Sequence, residues 1–177
     1  MFRRVLKSIS LLVCATTLCA PLHDAAAKYI PRGKALVTHF TGSVGAGGVA
    51  LKRYPTAMWI PRFQKKKRVY PGAVYTSFVS QLKYAVLELK AGSKRSYVHI
   101  VDECADGDCH KNNWQAKKKK ALLIDLYRSA WRSLGLGTPG IKMIRYRKVG
   151  TVTRKNRAMW CVMTPDGRKG YVPRRWK

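Results

Sequence analysis

Negative charge is what this sequence has least of. Eight Asp and Glu stand against 36 Lys and Arg in 177 residues, a formal charge of +28 at pH 7. Solubility alone needs far less charge than that, so attraction to a polyanion is expected: acidic polysaccharide, a wall polymer, anionic lipid or nucleic acid. Long apolar runs are also missing. The one apolar stretch, Ile9 to Leu22, is too short and too broken by Thr and Pro to span a bilayer. Preceded by Arg3, Arg4 and Lys7 and followed by Ala25-Ala26-Ala27, it reads as a secretory signal peptide over 1–27. Removing it takes three basic residues and Asp24, so +28 less +2 leaves +26 on the exported chain.

Cysteine is scarce too. Cys14 and Cys19 leave with the signal, and Cys104, Cys109 and Cys161 remain. Export permits a disulfide. Cys104 and Cys109 flank the short loop Ala105-Asp106-Gly107-Asp108 and are expected to pair, leaving Cys161 free or available to join two copies of an otherwise monomeric chain. Zinc is the alternative, with His99 and His110 nearby, but the spacing fits no usual zinc pattern, and no metal or other cofactor is assigned. The glycines at 42, 45, 47 and 48 follow a strand-like run, yet lack the spacing of a dinucleotide fingerprint and a helix after them, so a phosphate loop is disfavoured.

What is present is a series of short β-like runs. Residues 35–42 read as a strand, 49–51 as a short one, and 56–60 as another between Pro55 and Pro61. The basic run Lys65-Lys66-Lys67-Arg68 then leads to a turn at Tyr70-Pro71-Gly72. Residues 84–89 and 96–101 flank a Gly92 turn as a hairpin. Some twenty residues after Asp102, holding Trp114 and Lys117 to Lys120, read as a long loop. Leu126, Ala130, Trp131 and Leu134 recur at helical spacing, stopped by Gly135 or Gly137, and 141–149 alternates apolar and basic as a strand should. The tail, 151–177, is basic and aromatic, with a turn at Pro165-Asp166-Gly167. It is too short for an independent domain. These signals predict a mainly β barrel over 28–150, with one or two short helices and a short basic extension.

The few acids stand out against this background. Asp102 ends the run Tyr97 to Val101, and Asp125 ends the run Ala121 to Ile124. Asp125 falls between a strand and a helix, where it would serve as an N-cap or as an acid facing a groove. Asp102 would bind its own loop backbone or act as a second groove carboxylate.

The order of elements resembles the six-stranded double-psi β-barrel of expansins, barwin-like proteins and the rare lipoprotein A family. The segments that carry it are HFTGSVGAGG (39–48), YPTAMWIP (54–61), VHIVDEC (98–104) and LLIDLYRSAWRSLGL (122–136). The resemblance covers about 35–150. It implies that Asp125 holds the position of the family's catalytic-type aspartate, with Asp102 as the second groove carboxylate and Thr41 and His39 as polar groups on the first strand. The His–acid pair of the peptidoglycan-cleaving relatives has no counterpart at Thr56-Ala57-Met58-Trp59. Residues 151–177 cannot make the cellulose-binding sandwich of expansins.

Trp59, Trp114 and Tyr127 are candidates for stacking on sugar rings, whereas the helical spacing of Trp131 assigns it to the core. The runs Lys65, Lys66, Lys67, Arg68 and Lys117, Lys118, Lys119, Lys120 would supply electrostatic affinity. Together these features point to a secreted, expansin-like protein that binds an anionic wall polysaccharide, pectin-like or peptidoglycan with anionic polymers, and loosens it without hydrolysis. A glycan-cleaving enzyme and a basic antimicrobial or effector-like binding protein are the alternatives. Export makes nucleic acid an unlikely partner.

Overall fold

The computed structural model describes residues 31–42, 50–152 and 162–164. Its first strand shows why a barrel forms. In β1 (Arg32–Phe40), Ala35, Leu36 and Val37 are all buried, so the strand is covered on both faces. Ala35 and Val37 point into one apolar cluster and Leu36 into another. The same holds for β6 (Ala121–Tyr127), where Leu122 and Ile124 face inward while Leu123 joins Leu36 outside. A sheet apolar on both sides must close on itself and be covered from without.

It does both. The other strands are β2 (Thr56–Ile60), β3 (Lys65–Tyr75), β4 (Ala85–Ala91), β5 (Lys94–Cys104) and β7 (Lys142–Thr151). Pairing runs β3-β5-β4-β7-β1-β6, and β6 returns to β3 through Gly72–Leu126, Ala73–Asp125 and Val74–Ile124. Six strands thus form a closed ring. Two of its pairings, β1–β6 and β3–β5, are parallel, and the rest are antiparallel. This is the expected mainly β, six-stranded double-psi architecture. The seventh strand, β2, stands outside the ring and pairs only with the first half of β3.

The barrel interior holds Val37, Val74, Leu87, Ile100, Ile124 and Ile144 among others, plugged by Ala130, Trp131 and Leu134. Trp131 is 3% exposed and its Nε1 donates to the Gly137 carbonyl (3.0 Å), as its core assignment predicts. A second cluster (Met58, Ile60, Val69, Val86, Val149, Val152) lies between β2 and the ring. Val162 joins it, its N–H donating to the Trp59 carbonyl.

The hairpin over β4 and β5 and the strand over 56–60 fall where the sequence places them. Four expectations are corrected. The long loop after Asp102 holds a twelve-residue helix, α2 (Gly107–Lys118), capped by the Asp106 carboxylate, which accepts from Cys109 N (2.8 Å). With α1 (Val79–Leu82) and α3 (Arg128–Ser133) it makes three α-helices among the described residues, beyond the one or two expected. Tyr70-Pro71-Gly72 is no turn: it lies within β3, where the register shifts at Gly72/Ala73. A side chain at Gly72 would come within 2.5 Å of Val98 Cγ1, so the glycine there serves close strand approach. Of the strand expected near 49–51, residue 49 lies outside the described residues, and Leu51 opens a 3-10 turn, Leu51–Arg53. The signal peptide, the glycine-rich 43–49, Cys161 and the Pro165 turn lie outside the described residues.

Inside the wall of the barrel sits one buried acid that the sequence did not single out. Glu88 of β4 is 6% exposed. Arg95 of β5 donates to its Oε1 (3.2 Å), and Arg147 of β7 donates through Nε (2.9 Å) and Nη2 to its Oε2. One carboxylate thereby ties three strands together. Replacing it leaves two guanidiniums packed without a counter-charge. We expect Glu88→Gln to lower stability by about 1–3 kcal/mol, short of the loss from a fully dry pair because both arginines reach solvent. A urea unfolding midpoint unchanged from wild type would refute this.

Candidate functional site

Asp125 does not cap a helix. It lies inside β6, and the residue preceding α3 is Tyr127, whose side chain makes no capping bond. The strand runs two residues further than its apolar pattern because β1 and β3 flank it there, pairing Asp125 with Thr38 on one side and Ala73 on the other. Its side chain shares the outer face of the barrel with Leu123 and Tyr127. This is the face covered by α2 and by the Cys104–Cys109 disulfide.

The carboxyl group has one strong partner. Thr38 Oγ1 donates to Oδ1 at 2.7 Å, while the Cys104 sulfur lies 3.9 Å from Oδ2. Burial, the largest cause, pushes the Asp125 pKa from 3.8 up to about 6. The Thr38 bond and His39 oppose the rise, and Asp106 and Asp102 add to it. Five of the six acids among the described residues fall at 102, 103, 106, 108 and 125. Asp102 belongs to this cluster and accepts the backbone N–H of Glu103 (2.9 Å), the local bond its position allows.

Beyond Tyr127 opens a groove of about 500 Å³. Arg68, Arg128 and Arg132 supply three guanidiniums, Tyr70 and Tyr127 two phenols, and Ser129 and Ser133 two hydroxyls. Arg68 lies over the Tyr70 ring at 5.9 Å. Ser129 Oγ is buried and has no hydrogen-bond partner among the described residues. Phe40 supports Tyr127 edge-on at 5.6 Å.

Of the residues singled out from sequence, Tyr127 and Arg68 meet in this groove, and Asp125 lies two positions before Tyr127 on the same strand face. The others are placed elsewhere. Thr41 is exposed just past the end of β1, and His39 packs on Trp131 with ring centroids 5.5 Å apart. Trp59 is half-buried on β2, opposite Lys66. Trp114, 59% exposed, stands on α2 with Lys118 Nζ 3.5 Å above its ring. The run 65–68 lies on a strand, which splits it between two faces: Lys67 turns towards the Phe63 and Tyr97 rings while Arg68 reaches the groove. Lys117 and Lys118 end α2, where cations suit the helix dipole, and Lys119 and Lys120 form the turn into β6. Cys104 and Cys109 lie close enough to Asp125 for a metal, but bonded to each other they offer no thiolate.

Thr38, Arg128, Arg132 and Ser129 were missed. Thr38 had a signal, as a polar residue in an otherwise buried strand. The arginines had none among 36 cations.

No family model matches the chain, and no curated protein matches it. Solved structures do. A Clavibacter michiganensis expansin in its apo form is 17% identical with a TM-score of 0.44, covering 67% of this chain and 50% of its own. A point variant of that expansin in complex with cellohexaose is 15% identical with a TM-score of 0.42, over the same shares. A Streptomyces papain inhibitor is 15% identical with a TM-score of 0.38, covering 66% of this chain and 94% of its own. The chain spans about half the length of the expansin structures it matches.

Between pH 4 and 6 the folded chain keeps a proton on Asp125 that the unfolded chain has released, so stability falls as pH rises through that window. Asp125→Asn removes the cost of burying the charge while still accepting the Thr38 bond. We expect it to stabilise the protein at pH 8 by at most about 3 kcal/mol, with the gain vanishing near pH 3. Thermal melts across this range that show no pH-dependent gain would contradict the buried-acid assignment.

Proposed function

We propose that this is an exported protein that binds a cell-wall polysaccharide with anionic components and loosens it without cutting it. The groove beyond Tyr127 carries the reading. Guanidiniums bind carboxylates in bidentate fashion, and tyrosine rings present flat faces to sugar C–H groups. In this reading Asp125, protonated below about pH 6, donates a hydrogen bond to a glycan oxygen and loosens the contact of one chain with its neighbour. Thr38 holds the carboxyl in place. Asp102, Trp59, Trp114, Thr41 and His39 supply further contacts, and the lysine runs supply long-range attraction to the wall.

The raised pKa favours a second reading, glycan cleavage with Asp125 as general acid. Cleavage by hydrolysis needs a second carboxylate as base or nucleophile at a fixed separation, and Asp102 is the acid available for that role.

Binding to insoluble wall should fall steeply with salt, and Arg128→Gln with Arg132→Gln should weaken it about tenfold or more. Loosening should be strongest below about pH 6 and weaken as Asp125 ionises. No new reducing ends should appear in the supernatant. Soluble glycan fragments that disappear in Asp125→Asn would establish the second reading instead, and binding that persists in molar salt would remove the electrostatic part of the first.

A further inference from the structure

The strand register creates a charge arrangement unrelated to the groove. Lys34 of β1 lies opposite Arg145 of β7, Arg145 opposite Lys90 of β4, and Lys90 opposite Arg95 of β5. Four cations therefore stand in one row across four adjacent strands, one per strand. All four are exposed. Among the described residues the only acid paired with any of them is Glu88, which binds Arg95. Like charges directly opposite one another destabilise a sheet, so the barrel alone gains nothing from the row.

Two depressions follow this row. Lys34, Lys90 and Arg145 line one of about 340 Å³, together with Ala91, Gly92, Met143 and Ile144. Lys90, Arg95, Arg145 and Arg147 line the next, of about 220 Å³. They share Lys90 and Arg145 and so continue into each other. In the ring, the β4–β7 seam at the centre of the row lies across the barrel from the β3–β6 seam beside Asp125.

We infer that Lys34, Arg145, Lys90 and Arg95 form a second binding site, for a linear polysaccharide bearing one carboxylate on each sugar ring. Neighbouring cations repeat at the strand spacing of about 4.8 Å, close to the length of one hexopyranose, and the row spans about 14 Å. Because it curves with the barrel, no small anion touches all four groups, whereas a chain wrapped along it does. The exposed Met143 side chain in the first depression offers an apolar contact to sugar C–H faces. A single-stranded nucleic acid would need exposed aromatic platforms for its bases, and the aromatic side chain lining the depressions, Tyr146, is buried. The site operates whether or not the groove beyond Tyr127 binds glycan.

The test uses the full exported chain, with polygalacturonate, its fully methyl-esterified form and oligo-dT as probes over a salt series. Lys90→Gln with Arg145→Gln should weaken polygalacturonate binding roughly tenfold at low salt and reduce the salt slope by up to about one per cation removed. Lys34→Gln should give a smaller loss in the same direction and guards against misfolding of the double variant. Lys83→Gln with Lys111→Gln, equal in charge but off the row, should stay within about twofold of wild type. Equal losses in the two pairs would reduce the row to net charge and overturn the site. An equal loss on the methyl-esterified polymer, or oligo-dT binding tighter through the same pair, would overturn the ligand assignment. In an Arg128→Gln with Arg132→Gln background, which strips the groove of two guanidiniums, the loss from Lys90→Gln with Arg145→Gln should persist, so a failed groove and a failed row give different results.

Discussion

Closure of the ring between β3 and β6 is the constraint on which the rest depends. Three residue pairs make that seam, and Asp125 is in the middle one. With the seam formed, β6 has a parallel neighbour on one side and an antiparallel neighbour on the other. Its backbone is then saturated, and its side chains are fixed to the inside or the outside. Ile124 goes in and Asp125 goes out, under α2 and the disulfide. Were the ring open there, Asp125 would lie on an edge strand and lose part of the burial that raises its pKa.

Charge is distributed with the same economy. One of the few acids, Glu88, neutralises two arginines within the barrel wall, and the others described gather about the end of β5, the start of α2 and Asp125. The remaining surface is cationic. That arrangement opposes folding through self-repulsion and favours adsorption to a polyanion, which relieves it. Groove and row then differ in kind. The groove combines guanidiniums with phenols and hydroxyls that can orient a sugar, whereas the row offers charge at a regular interval and little else.

Much of this was legible from residues alone. The β4–β5 hairpin announces itself by two apolar runs about a Gly92 turn, and β2 by its flanking prolines. The Cys104–Cys109 pairing follows from the shortness of its loop. What misled were local signals overruled by tertiary contacts. Pro71-Gly72 carries turn chemistry, yet the position demands a strand without a side chain, pressed against Val98. The helix α2 buries Cys109, Asn113 and Ala116, small or polar residues whose 4- and 3-residue spacing gives almost no apolar periodicity, although Asp106 before it and lysines at its end mark its limits. The four-cation row was invisible in principle. Its members lie at 34, 90, 95 and 145, and only the register unites them, while the conspicuous lysine runs are scattered over faces and helix ends.

The bond from Thr38 to Asp125 joins positions 87 residues apart. Parallel pairing of the first strand with the sixth means that nothing between them can complete the site early. Such non-local contacts slow folding, because the chain pays the entropy of closing the loop before the contact rewards it. A fragment ending before β6 lacks the acid, and one starting after β1 lacks the hydroxyl that positions it. During synthesis the Thr38–Asp125 pair therefore cannot form until nearly the whole barrel has emerged, and it arrives in one late step.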